Sequence, residues 1–536
     1  VTRPIRVAAI VAAIGALYLL RLDRAAGLYV DDAWHIVLAK ALWQGDGFRL
    51  ISSATTPILP AFPPGFALIL APVIGLAPDF PGNVFALKAV SIAAMFGVGI
   101  AAYLYVARYR ASSPAVAAVV ALITVILPAF VFLATSTVMA EASFTLSQLL
   151  LALGVERAAR AERTGSTRLA VAGSGVIGAA SLLLRLAGVA GVAAATIYLG
   201  WRRGARSAAG FAVVVALCYA PWALYSFSNA APASERAAHG GSVSYGYEEL
   251  LLMRRGGEPS SGRATLADLP GRVAFNAFSI FGHDTAAFIF PAAFRGPSES
   301  GVEVFALSAE TGFRATSMGG NTAVVWVATA ISVVMVAGFV VSLRRGATVA
   351  EGIVALTIAM VLLVPAQTFR YVLPLAPFLI FYFFCGVDAL TRGGQRFASS
   401  FRITAACVIA LLAIEHAQYI TLMRSGATPW LQSYEEVKSV TDWMRANLSR
   451  EGPVAASNPG LVYLTTGRKT LALTNLPSSW QSLQKAGVPY GAALTVAEPP
   501  AASLGLPMLY QSPRLKLWVV ELPVQPGALT DSGTRP

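Results

Sequence analysis

Leu28-Tyr29-Val30-Asp31-Asp32-Ala33-Trp34-His35-Ile36-Val37-Leu38-Ala39-Lys40-Ala41-Leu42 puts two adjacent carboxylates at the start of an apolar helix, shortly after a first apolar run at 4–20 has ended. Crossing lipid takes about 20 apolar residues as a helix, because each backbone N–H and C=O in the hydrocarbon must be bonded within its own segment. An acidic pair just past such a run stands at the mouth of a membrane. The composition fits a chain made largely of such runs. Of 536 residues, 56% are hydrophobic and 12% charged, with a mean hydropathy of +0.64, whereas a soluble domain carries about 25% charged residues. That excludes a string of soluble domains. The expected class is a polytopic α-helical membrane protein.

Further runs of spanning length or close to it lie at 84–107, 115–134, 137–155, 169–184, 186–201, 207–227, 322–343, 349–366, 371–388 and 401–423, which with 4–20 makes about 11 transmembrane helices. The net charge of +13, from 40 Lys+Arg and 27 Asp+Glu, is distributed between these runs. Arg108/Arg110, Arg157/Arg160/Arg163/Arg168, Arg202/Arg203/Arg206, Arg344/Arg345 and Arg392/Arg396 read as cytoplasmic loops under the positive-inside rule. No basic stretch interleaved with aromatics suggests nucleic acid. Arg3 and Arg6 hold the N-terminus in the cytoplasm, and the first run reads as an uncleaved anchor. A weaker run at 62–78 opens at Phe62-Pro63-Pro64-Gly65 and contains Pro72. If it crossed, the basic loop at 108–110 would fall outside, so it is expected to dip into or lie along the outer leaflet as a juxtamembrane helix.

This parity gives a transmembrane domain over 1–428, with external loops at 21–83 and 229–320, and an external tail at 429–536. In the tail, Val437, Val440, Trp443, Met444 and Leu448 recur at helical spacing and predict an amphipathic helix over 434–448. Short apolar runs at 453–456, 470–473, 491–497 and 515–521 between Pro/Gly/Ser breaks predict strands. The tail is therefore expected to be a small soluble α/β domain. Cys218, Cys385 and Cys407 lie in separate apolar runs and are expected to be buried packing residues.

Asp31 or Asp32, held at a membrane boundary, could act as a general base, because desolvation raises a carboxylate's proton affinity. Either could instead cap the helix. His35 lies four residues after Asp31 and could share its face, or be a polar edge residue. Glu141, between two runs at the outer end, needs a cavity or a partner unless it is a solvated loop carboxylate. Arg370-Tyr371, Arg185 and Lys88 are cations at the outer ends of runs, against the positive-inside bias. They call for an anionic ligand such as a lipid phosphate, unless each snorkels to the headgroups. Gly282-His283-Asp284 stands out only because His and Asp adjoin. No metal-ligand spacing links His35, His239, His283 and His416, so no metal and no other cofactor is assigned, although nothing in the residues speaks against assistance by a divalent ion.

In order along nearly the whole chain, Asp31-Asp32, Phe62-Pro63-Pro64-Gly65-Phe66, Glu141, Arg370-Tyr371 with Pro374 and Pro377, and the tail stretch Gly460-Leu461-Val462-Tyr463-Leu464-Thr465-Thr466-Gly467-Arg468 resemble the GT-C superfamily of integral membrane glycosyltransferases. This superfamily includes the protein O-mannosyltransferases and the aminoarabinose transferases. Many relatives have Asp-Glu where this chain has Asp31-Asp32. The resemblance implies a polyprenyl-phosphate-sugar donor and a lipid, glycan or protein acceptor. It implies reaction at the periplasmic or extracellular face of the bacterial inner (plasma) membrane, with no nucleic acid involved. By position, Asp31 would match the catalytic base, Glu141 a second acidic site, and Arg370 and Tyr371 the region near the donor phosphate.

That chemistry suits the residues. A lipid phosphate leaves as an anion, so a base for the acceptor and cations for the phosphate matter more than a proton donor. A single displacement would invert the anomeric centre. The competing class is a multi-span transporter or lipid flippase, whose sites usually lie at the midplane. A third reading makes the tail a binding module and the spans an anchor, for which eleven spans are far more than needed.

Overall fold

The computed structural model describes residues 3–53, 57–58, 62–110, 112–162, 164–230, 251–254, 262–291, 322–365, 368–391, 395–473, 483, 487–494 and 505–523. His239 and most of the expected loop at 229–320 lie outside these. The helices are α1 (Arg3–Arg21), α2 (Val30–Gln44), α3 (Gly65–Leu76), α4 (Val84–Tyr109), α5 (Pro114–Val125), α6 (Pro128–Thr135), α7 (Glu141–Arg160), α8 (Thr164–Leu184), α9 (Gly188–Arg203) and α10 (Ala205–Asn229). They continue with α11 (Leu269–Ser279), α12 (Thr322–Arg345), α13 (Val349–Leu363), α14 (Phe369–Val372), α15 (Ala376–Leu390), α16 (Gln395–Arg424), α17 (Pro429–Asn447) and α18 (Pro459–Thr466).

Among the described residues, six helices are long and apolar enough to cross a membrane, and a seventh span results if α5 and α6, bent by 48° at their junction, are counted as one. The chain is thus a polytopic membrane protein. Several of the eleven expected runs are shorter or more polar than a simple span. The run at 115–134 is the bent α5/α6 pair, broken where Pro128 removes an N–H and resets the backbone. The run at 137–155 starts its helix only at Glu141. The helices α9 and α13 have 16 and 15 residues. With 12 residues, about 18 Å long at 1.5 Å per residue, α3 is too short to cross.

The chain divides into two compact units. The first holds Val1–Asp23, Lys88–Leu224 and Leu250–Ser425. In it α12 and α15 approach so closely that a side chain at Gly338 would strike the Tyr382 carbonyl and one at Gly386 the Val334 carbonyl. Small residues are what allow two membrane helices to pack backbone to backbone. At the end where α4 finishes, Arg110 was expected only to orient the chain. It is instead buried, paired with Glu351 and bonded to Ser342 and Thr348. Glu351 also closes a capping box with Thr348, and Glu156 accepts from the Val349 amide at 2.8 Å and the Tyr198 hydroxyl at 3.2 Å. A buried charge is tolerated only when it is paired and hydrogen-bonded, and here that pairing ties α4, α7, α9, α12 and α13 together. Of the cysteines only Cys385 is buried; Cys218 and Cys407 are exposed on α10 and α16, because apolar helices also turn side chains out of the packed protein.

The second unit holds Arg24–Leu87, Tyr225–Glu249 and Gly426–Pro536, so the first external segment and the tail share one core. The tail sheet has strands β1 (Val454–Ala456), β2 (Thr470–Ala472), β3 (Tyr490–Ala493), β4 (Met508–Gln511) and β5 (Trp518–Glu521), in the order β2-β1-β3-β5-β4. The β2–β1–β3 part is parallel, and β5 and β4 add antiparallel. Strand β4 and helix α18 were not expected. The first is an exposed edge strand with weak alternation, and the second hides in eight residues. The expected amphipathic helix is α17, and it buries Val437, Val440 and Met444 against Val454, Leu461, Val462 and Val519. Ala33 of α2 belongs to the same core.

Candidate functional site

In the first unit, successive antiparallel helices bring three separated residues to one place. Glu141 is the first residue of α7, where a carboxylate gains from the helix dipole. Arg185 sits in the turn between α8 and α9, its N–H bonded to the Ser181 carbonyl at 3.0 Å. Arg370 lies in the four-residue α14. The Glu141 Oε1 atom accepts from Arg370 Nε at 3.0 Å and Nη2 at 2.8 Å, and from Arg185 Nη1 at 2.5 Å. The Arg185 guanidinium also lies 5.4 Å from the centre of the Tyr371 ring.

Glu141 is therefore no solvated loop carboxylate, for only 1% of its side chain is exposed. Nor do the two arginines simply snorkel, since both are anchored on it. With 17% and 22% of their side chains exposed, they keep a face open. Two guanidiniums thus share one carboxylate oxygen. The second carboxylate oxygen of Glu141, Oε2, is buried with no hydrogen-bond partner among the described residues. A pair of part-exposed guanidiniums fixed side by side is suited to a bidentate anion such as phosphate.

Lys88, in α4 of the same unit, goes elsewhere. Its ammonium is fully buried and donates to the Asp23 carbonyl at 2.8 Å and to Asp23 Oδ1 at 2.9 Å, while Ser136 donates to Oδ2 at 2.5 Å. Asp23 and Ser136 were missed in the sequence. An acid three residues past the first apolar run was the available signal, parallel to the outer lysine.

The acidic pair and His35 lie in the second unit. The N-cap of α2 is Tyr29, so Asp31 and Asp32 fall inside the first turn and neither takes the capping position. The two differ in environment. Asp32 is buried and turns back to accept the Gly27 N–H at 2.7 Å; Asp31 is half-buried. Gly27 has φ +82°, a conformation that favours glycine, and its carbonyl accepts from Asn458 Nδ2 at 2.6 Å. Asn458 in turn caps α18 through the Leu461 N–H at 3.2 Å. The glycine of the tail stretch has a packing reason: a Cβ at Gly460 would lie 3.0 Å from Ala33 Cβ. His35 is buried with its ring set edge-on against Phe66 at 5.0 Å and Phe62 at 5.6 Å, which explains why the Phe62-Pro63-Pro64-Gly65-Phe66 motif sits beside α2.

Back in the first unit, Gly282-His283-Asp284 forms a π-turn over Ile280–Asp284, closed by the Thr285 N–H on the Ile280 carbonyl at 3.0 Å. Such turns recur at functional sites. Asp284 is buried and accepts a hydrogen bond from the Thr368 hydroxyl. Burial pushes its carboxyl up to about 7, against the opposing effect of Thr368. Among the described residues no group of three or more His, Cys, Asp or Glu is arranged to hold a metal ion.

No protein-family model matches the chain, and no curated protein matches it in sequence. Solved structures do match it in fold. ArnT from Cupriavidus metallidurans bound to undecaprenyl phosphate superposes with a TM-score of 0.53 at 13% identity, covering 100% of both chains. The apo form of the same protein gives 0.52 at 13%, covering 96% of this chain and 97% of that one. The oligosaccharyltransferase AglB from Archaeoglobus fulgidus, in complex with an inhibitory peptide and a dolichol-phosphate, gives 0.52 at 12%, over 90% of this chain and 69% of the other.

Proposed function

Starting from the GT-C membrane glycosyltransferase fold that this chain has, we propose that it moves a sugar from a polyprenyl-phosphate carrier to an acceptor at the external face of a bacterial inner membrane. The observation that carries this reading is the pair of guanidiniums, Arg185 and Arg370, gathered on one buried carboxylate while each keeps a face open. The lipid phosphates in two fold neighbours, undecaprenyl phosphate and a dolichol-phosphate, support the same class of donor. Arg185 and Arg370 hold the phosphate, Glu141 orients them, and Tyr371 walls the Arg185 guanidinium.

In the reaction the acceptor's O–H or N–H gives its proton to the Asp31 carboxylate as the acceptor atom bonds to the anomeric carbon. The bond from that carbon to the phosphate oxygen breaks, and the lipid phosphate departs as an anion stabilised by the arginines. Asp31 takes this role rather than Asp32 because Asp32 is buried and committed to the Gly27 N–H. His35, one turn along the helix that carries the base, packs edge-on against the ring of Phe66. One displacement inverts the anomeric centre.

The test is Asp31→Asn in proteoliposomes supplied with labelled polyprenyl-phosphate sugar. Transfer is expected to fall by at least about 100-fold, the lower range for loss of a general base, with undecaprenyl phosphate binding within twofold of the parent. Full turnover in this variant would overturn the assignment.

A further inference from the structure

Three consecutive residues of the Arg370 segment are each gripped by a different part of the protein. Thr368 donates its hydroxyl to the buried Asp284 of the π-turn. The Phe369 ring lies against Phe288, with centres 5.7 Å apart. Arg370 itself is fixed by Glu141. Thr368 is the N-cap of α14, and its carbonyl accepts the N–H groups of Tyr371 and Val372 at 3.0 and 3.1 Å. Whatever holds Thr368 thus sets the direction in which this single turn leaves, and with it the Arg370 side chain.

The approach to that turn is also held from outside. A helix ends with carbonyls that have no partner within it, and α13 ends at Leu363, five residues before Thr368. The buried Asn276 of α11 presents its amide to the carbonyls of Val361, Leu362 and Val364 at 3.0, 3.1 and 2.9 Å. Arg272, one turn earlier, donates to the Leu363 carbonyl at 3.1 Å and to the Met253 carbonyl at 2.8 Å. The helix α11 and the π-turn at its end therefore clasp both sides of the α13–α14 junction. A π-turn adds one residue to the helical repeat and rotates the chain beyond it, and here it ends on the carboxyl that meets Thr368.

We infer that Asp284 and Thr368 are positioning residues for Arg370, and that the π-turn exists to hold the guanidinium where a lipid phosphate would meet it. The inference rests on the phosphate-holding role given to Arg370 above. In the dry surroundings of Asp284 a carboxyl raised to about 7 is readily present in its neutral form, so an amide of the same shape can replace it and still accept from Thr368.

The experiment measures undecaprenyl phosphate binding to the full chain in nanodiscs, together with thermal unfolding of each variant, for Arg370→Ala, Thr368→Val, Thr368→Ser, Asp284→Leu and Asp284→Asn. Arg370→Ala is the reference and is expected to weaken binding by tenfold or more. Thr368→Val and Asp284→Leu should each weaken it at least fivefold. Thr368→Ser and Asp284→Asn, which keep the hydroxyl and its acceptor, should stay within twofold of the parent. Rescue by these two conservative variants is the readout that a merely structural role would not give. If Arg370→Ala loses affinity while Thr368→Val or Asp284→Leu, folded as judged by an unchanged unfolding midpoint, binds as the parent does, the positioning role is overturned and the phosphate reading stands. Should either of those variants fail to fold, loss of binding in folded Asp284→Asn or Thr368→Ser overturns it equally. If Arg370→Ala binds normally, the phosphate reading falls and this inference with it.

Discussion

Replacing Glu141 with glutamine tests the charge logic of the cluster most directly. The side chain keeps its shape and an oxygen acceptor at the Oε1 position, 2.8 Å from Arg370 Nη2 and 2.5 Å from Arg185 Nη1, but loses its charge. Taking about 4 Å between charge centres and an effective dielectric of about 20, each lost attraction is about 4 kcal/mol. Two pairs give about 8 kcal/mol gross, offset by the several kcal/mol no longer needed to desolvate the carboxylate, so the net cost is about 3–5 kcal/mol, as for other broken buried pairs. The cluster loses one negative charge and keeps both guanidiniums. An anion that binds there replaces the missing carboxylate, so the ligand should recover much of the lost stability. In thermal unfolding of purified protein in detergent, the variant should melt several degrees below the parent without ligand. Saturating undecaprenyl phosphate should raise its midpoint by more than it raises the parent's. An unliganded midpoint within a degree of the parent, or a ligand shift no larger than the parent's, would refute the assignment of these residues to one anion-holding unit.

Two further outcomes concern the second unit. Gly460→Val places a branched side chain where a Cβ alone would lie 3.0 Å from Ala33 Cβ, and overpacking of this kind costs about 1–3 kcal/mol; a lowered unfolding midpoint for the full chain is expected, and an unchanged one would remove the close approach of α18 to α2 as the reason for glycine there. Burial alone would raise the Glu436 carboxyl, but the Ser512 hydroxyl and the Leu515 and Arg514 amides outweigh it and hold it below its ordinary value. A depressed folded value contributes stability above the unfolded value, about 4.3, and loses it as pH falls through the folded one. Glu436→Gln should therefore be less stable than the parent at pH 7, with the gap closing below about pH 4; a gap constant from pH 7 to pH 3 would show that this carboxylate contributes nothing through its ionisation.

The apolar runs, the broken segment at 62–78 and the helix of the tail were legible because each rests on local periodicity, read within one stretch of chain. Glu141, Arg185 and Arg370 were legible as single charges in costly places, since a charge at the end of an apolar run needs a reason. Their meeting was not legible, because it depends on residues 44 and 229 positions apart along the chain. The same limit hid the fate of Lys88, which looked equivalent to the arginines but pairs with Asp23 at 2.9 Å. Thr368 carried no sequence signal and Asp284 stood out only through the adjoining His283, because a threonine two residues before an arginine and an acid in a loop are ordinary until a π-turn brings them into contact. The surroundings of Asp31 and Asp32 were told apart only through burial, for adjacent residues of one type share every local property that a sequence offers.

The order of the helices in the first unit also bears on whether the charges belong to an enzyme or to a transporter. From Glu141 at its start, α7 runs to Arg157 and Arg160 at its finish, α8 returns to Arg185, and α9 ends on Arg202 and Arg203. In the same way α12 finishes on Arg344 and Arg345, and α13 returns toward Arg370. Glu141, Arg185 and Arg370 thus stand at one set of helix ends, and the basic clusters at the other. If the clusters face the cytoplasm, as the positive-inside rule requires, the guanidinium pair faces outward at the level of the headgroups. A carrier must offer its site to both sides in turn, and its binding charges usually lie near the midplane on broken helices. A pair of arginines locked to a buried carboxylate at one end, tied on the other end by the Arg110–Glu351 and Glu156–Tyr198 contacts, suits a reaction performed at a single surface. Reconstituted protein should accordingly turn over lipid-linked sugar added to the external face and leave the inner leaflet's share untouched; equal use of both leaflets by a unidirectionally oriented preparation would favour transport across the membrane.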